Sequence, residues 1–165
     1  MVYFFRNHNS VVRRYAMLVT TCRTLVHAQV ETVWDVLLDR VENPQNYLHG
    51  VEGVQIIERS AAGIERELTW EGKTVRERIV PEKELGRITV EFREHPLYVG
   101  TIVTRLVPSS VQNPMAPLYL EAELRLERKS FHVEGLVKTE EEMVADIEKE
   151  LQMVKEKAEA AEGRG

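Results

Sequence analysis

A chain of 165 residues with 43% hydrophobic composition can bury about two thirds of its unfolded surface in one core, so a single domain suffices. Its formal net charge of -5, from 22 basic and 27 acidic residues with no run of five or six like charges, argues against binding nucleic acid through the phosphate backbone. Cys22 is the single cysteine, which excludes an intrachain disulfide and a cysteine-rich metal site and points to a reducing, cytoplasmic setting, while no stretch approaches the roughly 18 apolar residues of a membrane span.

Residues 1–16, MVYFFRNHNSVVRRYA, contain Arg6, Arg13 and Arg14 and no acid. The segment is read as a poorly ordered extension ahead of a second possible start at Met17, in preference to a targeting peptide, because strand periodicity begins only at Leu18. A single domain is then expected over 17–162. Its first strand is LVTTCRTLV, residues 18–26. Val30, Val33, Trp34, Leu37, Leu38 and Val41 recur at helical spacing and predict an amphipathic helix, which Pro44 must end. Tyr47 and Leu48 are expected in a further short helical piece, and Gly50 and Gly53 mark the reversal into a strand from about Val54.

Four more strand-like runs follow at 64–70, 73–80, 87–93 and 98–107. Residues 108–117 carry three prolines and predict a long loop. The run 118–127, LYLEAELRLE, alternates strictly between an apolar and a polar face. A last helix is predicted from residue 140 to about 161, with Thr139 and Glu142 forming a capping box and Met143, Ile147, Leu151, Val154 and Ala158 an apolar stripe. Seven strands with one short helical insert and one long terminal helix make an α+β fold with an antiparallel sheet.

The segment IERELTWEGKTVRERIV reads as a hairpin about Glu71 and Gly72, opposing Trp70 to Lys73 and Ile64 to Ile79 with every position between in step. This register places Glu67 across from Arg76 and Glu65 across from Arg78 on one face, expected to meet solvent. The other face carries Ile64 with Ile79 and Leu68 with Val75, and between them Arg66 opposite Glu77. A lone charge on an inward face is costly, so these two must pair or meet water or a ligand. Two readings stand: a paired strut at the rim of the sheet, or a pair that orients the polar end of a ligand.

The stretch VHAQVETVWDVLLDRVENPQNYLHGVEGVQIIERS (26–60) followed by that hairpin resembles the opening of the START/Bet v 1-like (SRPBCC) superfamily, and KTVRERIV with LYLEAELRLERK is most similar to its AtaL-like branch. The likeness spans about residues 17 to 160. It implies a helix-grip fold, in which a curved antiparallel sheet wraps the terminal helix around an apolar cavity. It also implies a small hydrophobic or amphipathic ligand, since superfamily members bind lipids, sterols, polyketides or plant hormones and some are aromatase/cyclases. No superfamily-wide catalytic motif carries over, and the long loop at 108–117 departs from the general pattern on one side of the cavity mouth.

On this basis the candidate ligand-binding residues are Arg66, Glu77, Trp34, Leu68, Trp70, Val75, Leu120, Ala122, Met143 and Ile147. His8, His27, His49, His95 and His132 show no metal-ligand spacing and are read as surface or loop residues, and Cys22 as a small core residue, so no metal and no cofactor are expected. No nucleophile elbow, P-loop or dinucleotide fingerprint occurs. Three functions compete: a non-catalytic carrier or sensor, which is favoured; a polyketide cyclase or dehydratase using Glu77 held by Arg66; and an interaction module that presents an acidic terminal helix.

Overall fold

The computed structural model describes residues 17–129 and 140–163. The extension 1–16, the capping residue Thr139, His8 and His132 therefore lie outside the described residues. In chain order the elements are β1 (Met17–Val26), α1 (Val30–Glu42), β2 (Val51–Ser60), β3 (Gly63–Trp70), β4 (Lys73–Glu82), β5 (Arg87–Glu94), β6 (Tyr98–Pro108), β7 (Leu118–Arg128) and α2 (Glu140–Glu162). The strands form one antiparallel sheet in the order β1-β7-β6-β5-β4-β3-β2, with α1 inserted after the first strand and α2 closing the inner face. This is the helix-grip arrangement.

The core lies between that inner face and the helices. Ile64, Ile79, Val90, Ile102 and Leu124 oppose one another in a row across five strands. Met143, Ile147, Leu151, Val154 and Ala158 of α2 are buried against the inner face, as their helical spacing predicts. The sheet bends at identifiable places: bulges in the β2–β3 ladder, a bulge between Arg76 and Glu77, and Gly100. At Gly100, φ is +136° and a Cβ would run into the Arg125 carbonyl oxygen, so no side chain fits there.

The β3–β4 hairpin has the register expected from its charge and apolar pairing, Trp70 opposite Lys73 through Ile64 opposite Ile79. Both loop residues take positive φ, +50° at Glu71 and +75° at Gly72, as a two-residue turn matching the strand twist requires. Glu67 and Arg76 make their ion pair at 3.5 Å. Arg78 and Glu65 do not pair: Arg78 donates instead to the Ala62 carbonyl, at 2.7 and 3.1 Å, and Glu65 faces Arg93 at 3.8 Å.

Other local expectations are corrected. The short helical piece is a 3-10 turn at Pro44–Asn46, ahead of Tyr47 and Leu48, and β2 begins at Val51. On α1, Val30 and Leu38 are 47% and 36% exposed, and Arg40 takes a buried place beside Val33, Trp34, Leu37 and Val41. His95 sits in a loop but is buried. Its Nδ1 accepts the Leu97 and Tyr98 N–H groups and its ring stacks on Phe92 at 4.6 Å.

The start of α1 lacks a cap from its own N-cap side chain, whereas at its other end the Asn43 N–H donates to the Asp39 carbonyl at 2.7 Å. Gln29 at the N-cap makes no side-chain bond to the helix. Carboxylates near the end of α2 fill that role: Glu162 accepts the Gln29 N–H at 2.8 Å and the Thr32 hydroxyl at 2.7 Å, and Glu159 accepts the His27 N–H at 3.1 Å. Lys155 joins the group, donating to Glu159 at 2.6 Å and to the Leu25 carbonyl at 2.7 Å.

These contacts hold both carboxyls below the usual carboxylate range, Glu162 chiefly through the Thr32 hydroxyl and Glu159 chiefly through Lys155. A depressed folded-state pKa means that the bonds contribute fully above the unfolded-state value of about 4.3 and are lost as pH falls through the lower folded values. Thermal melts at descending pH are expected to show a falling midpoint below about pH 4.3. In Glu162→Gln the fall should be shallower, and the difference from the parent chain should vanish at the acid end.

Candidate functional site

Arg66 on β3 and Glu77 on β4 are brought together by the hairpin register, and both are buried, at 7% and 4% exposure. Arg66 Nε and Nη2 donate to Glu77 Oε2 at 3.0 and 2.5 Å. Its third nitrogen, Nη1, donates to the backbone carbonyls of Val41 at 2.7 Å and Arg40 at 3.4 Å. Those carbonyls belong to the last turn of α1, where oxygens lack helical partners and the helix dipole favours a cation. The ion pair thus fastens the C-terminal end of α1 to the sheet.

A second buried ion pair lies alongside. Arg40 Nη1 donates to Glu150 Oε1 of α2 at 2.7 Å, and Nη1 and Nη2 approach the Thr104 hydroxyl of β6 at 3.4 Å. Arg40 and Thr104 are buried, and the Glu150 side chain is 14% exposed. The two pairs link α1, α2 and three strands of the sheet.

Between them is a partly open cleft with a cavity volume of about 30 Å³. It would hold roughly two waters. Arg40, Arg66, Glu77, Glu150 and Thr104 form its polar wall, and Val41, Leu48, Trp70, Ile79, Phe92 and Ile147 contribute to its apolar wall. The charges sum to zero. No residue of 109–117 lines the space.

Of the ten residues expected from sequence, Arg66, Trp70, Glu77 and Ile147 line this space. Trp34, Leu68, Val75, Leu120, Ala122 and Met143 are buried in the apolar core around it. The Trp70 indole N–H donates to the His49 carbonyl at 2.9 Å, which fixes the ring at the edge of the cleft.

Arg40, Glu150 and Thr104 were not expected. A signal existed: Arg40 lies three residues after Leu37 and seven after Val33, and Glu150 three after Ile147 and seven after Met143, so opposite charges interrupt the apolar stripes of both helices.

Beside the cleft, the Tyr47 hydroxyl donates to Asp39 Oδ2 at 2.6 Å. Burial, and then this bond, push the Tyr47 hydroxyl far above the usual phenol range, so it stays neutral. The same bond is the main cause holding the Asp39 carboxyl low, with the Asn43 amide and Lys157 adding to it against burial. Burial, with the charge of Glu148 second, raises the Cys22 thiol, in keeping with a core residue. Among the described residues no group of three or more His, Cys, Asp or Glu is placed to hold a metal, and no helix is long and apolar enough to cross a membrane.

An antiparallel seven-stranded sheet gripping a long terminal helix, with a helical insert after the first strand, is the START/Bet v 1-like fold. Within that class the chain belongs to the AtaL family, described as acetylaranotin biosynthesis cluster protein L, whose model matches residues 22–161.

Solved structures share the fold. The ZhuI aromatase/cyclase from Streptomyces sp. R1128 superposes with a TM-score of 0.69 at 18% identity, over 90% of this chain and 95% of that one. A START superfamily protein from Mycobacterium smegmatis gives 0.63 at 18% identity, over 88% and 98%. The di-domain ARO/CYC StfQ of the steffimycin biosynthetic pathway gives 0.68 at 16% identity, over 89% of this chain and 52% of that one. No curated protein sequence matches the chain significantly.

Proposed function

We propose that this protein binds a small hydrophobic or amphipathic molecule between the sheet and α2, as a carrier or sensor. The observation that carries the reading is the cleft itself, which combines an apolar wall with a charge-balanced polar end beneath α2. Sites for small molecules are typically concave and mostly apolar, with a few convergent polar groups that fix orientation. Membership of the AtaL family and the shared START-like fold support the same reading.

The cleft as it stands is far smaller than the roughly 300–1,000 Å³ of a typical ligand pocket. Enclosing a guest therefore requires the side chains around the cleft to move apart. Native mass spectrometry after gentle purification is expected to show a stoichiometric adduct that disappears on denaturation. Absence of any adduct, together with no binding of apolar dyes to the folded protein, would overturn the reading.

A second reading is favoured by the aromatase/cyclase activity named for two proteins of the same fold. Glu77 would move protons within the cleft and Arg66 would hold its carboxylate. Shape and exclusion of water would supply most of the effect. A Glu77→Gln variant that folds and turns over a candidate polyketide as fast as the parent chain would remove this reading.

A further inference from the structure

The polar end of the cleft has a definite hydrogen-bonding character. Arg66 has four of its N–H contacts committed, to Glu77 Oε2 and to the end of α1. Glu77 Oε1 and Glu150 Oε2 accept no bond from any described residue, and neither is fully occluded. Arg40 makes one short bond, to Glu150, and two long ones to Thr104, which leaves its Nε–H without an acceptor among the described residues. An arginine has five N–H donors and a carboxylate about four lone-pair sites, so the cleft retains both donors and acceptors.

From this balance we infer that the guest's polar end is a neutral hydroxyl that donates to Glu77 or Glu150 and accepts from Arg40. The inference rests on the enclosure proposed above and names the ligand chemistry that enclosure selects. A carboxylate can only accept. It would bring a third negative charge beside Glu77 and Glu150, while both arginines are already neutralised by those residues. An ammonium can only donate and would face Arg40 and Arg66. A hydroxyl satisfies both kinds of free group without added charge, and the cleft has room for such a group.

Two matched probes, 1-naphthol and 1-naphthoate, test the inference with the full chain at pH 7, where the first is neutral and the second anionic. Titration followed by probe fluorescence and by calorimetry should show naphthol bound at least tenfold more tightly. In Glu150→Gln, which removes one negative charge at constant shape, the gap should narrow through improved naphthoate binding. Should that variant not fold, the comparison on the parent chain decides alone.

Naphthoate binding as tightly as naphthol would overturn hydroxyl selection and leave the enclosure standing. Failure of both probes, in protein that still carries a co-purified guest by native mass spectrometry, would do the same. Failure of both probes with no guest present would overturn the enclosure reading as well.

Discussion

An Arg66→Met variant is expected to lose about 3–5 kcal/mol of stability, the usual cost of leaving one partner of a buried ion pair alone. Glu77, 4% exposed, would be left buried without its cationic partner, and the carbonyls of Val41 and Arg40 would lose their donor. For a chain of this length the melting temperature should drop by on the order of 10 °C.

The double variant Arg66→Met/Glu77→Leu separates the two losses. Removing both charges should restore most of the stability, because an apolar pair of similar volume commonly replaces a buried ion pair at little cost. What stays missing is the capping of α1, about 1 kcal/mol for the hydrogen bonds to its last turn. Denaturant melts of the two single variants and the double variant, arranged as a thermodynamic cycle, measure both quantities. A double variant no more stable than Arg66→Met would show that the arginine acts mainly through α1.

Ending the chain at Lys138 is expected to abolish folding. The cut removes Met143, Ile147, Leu151, Val154 and Ala158 together and opens the inner face of the sheet, where Leu120, Leu124 and Leu126 are fully buried. Glu159 and Glu162, which cap the start of α1, go with it. The shortened chain should bind a hydrophobic dye and lack dispersed amide resonances. A gentler probe of the same interface is Leu151→Ala, expected to cost about 2–5 kcal/mol in denaturant melts. A truncated chain that folds normally would make α2 an appendage and favour an interaction module over an enclosed ligand.

Much of this architecture is legible in the sequence because it rests on local periodicity. Strict alternation over 118–126 sets the inward face of β7, and the hairpin register follows from two agreeing patterns, since a one-residue slip would send both the ion pairs and the apolar pairs to the wrong faces. Arg66 opposite Glu77 comes from that register alone. The α2 stripe is equally local.

What pairing could not supply is which other element meets a given side chain. Arg78 finds the Ala62 carbonyl instead of its cross-strand glutamate, because a backbone acceptor at the tip of the β2–β3 turn lies within reach. Arg40 is buried, while Val30 and Leu38 of the expected stripe stay partly exposed, because α1 turns its Arg40 side toward Glu150 and Thr104.

The sequence by itself determined the strand order along the chain, the hairpin register and the inward faces, which depend on spacings of two and of three to four residues, and its resemblance to the START/Bet v 1-like superfamily supplied the helix-grip class. Only the tertiary structure decided that Arg66 ends on the last turn of α1, that Arg40 and Glu150 form a second ion pair, and that a small neutral-sum space lies between the two. The physical reason is distance along the chain. Arg40 and Glu150 are separated by 110 residues and Arg66 and Val41 by 25, and no local pattern specifies contacts made when separate elements pack.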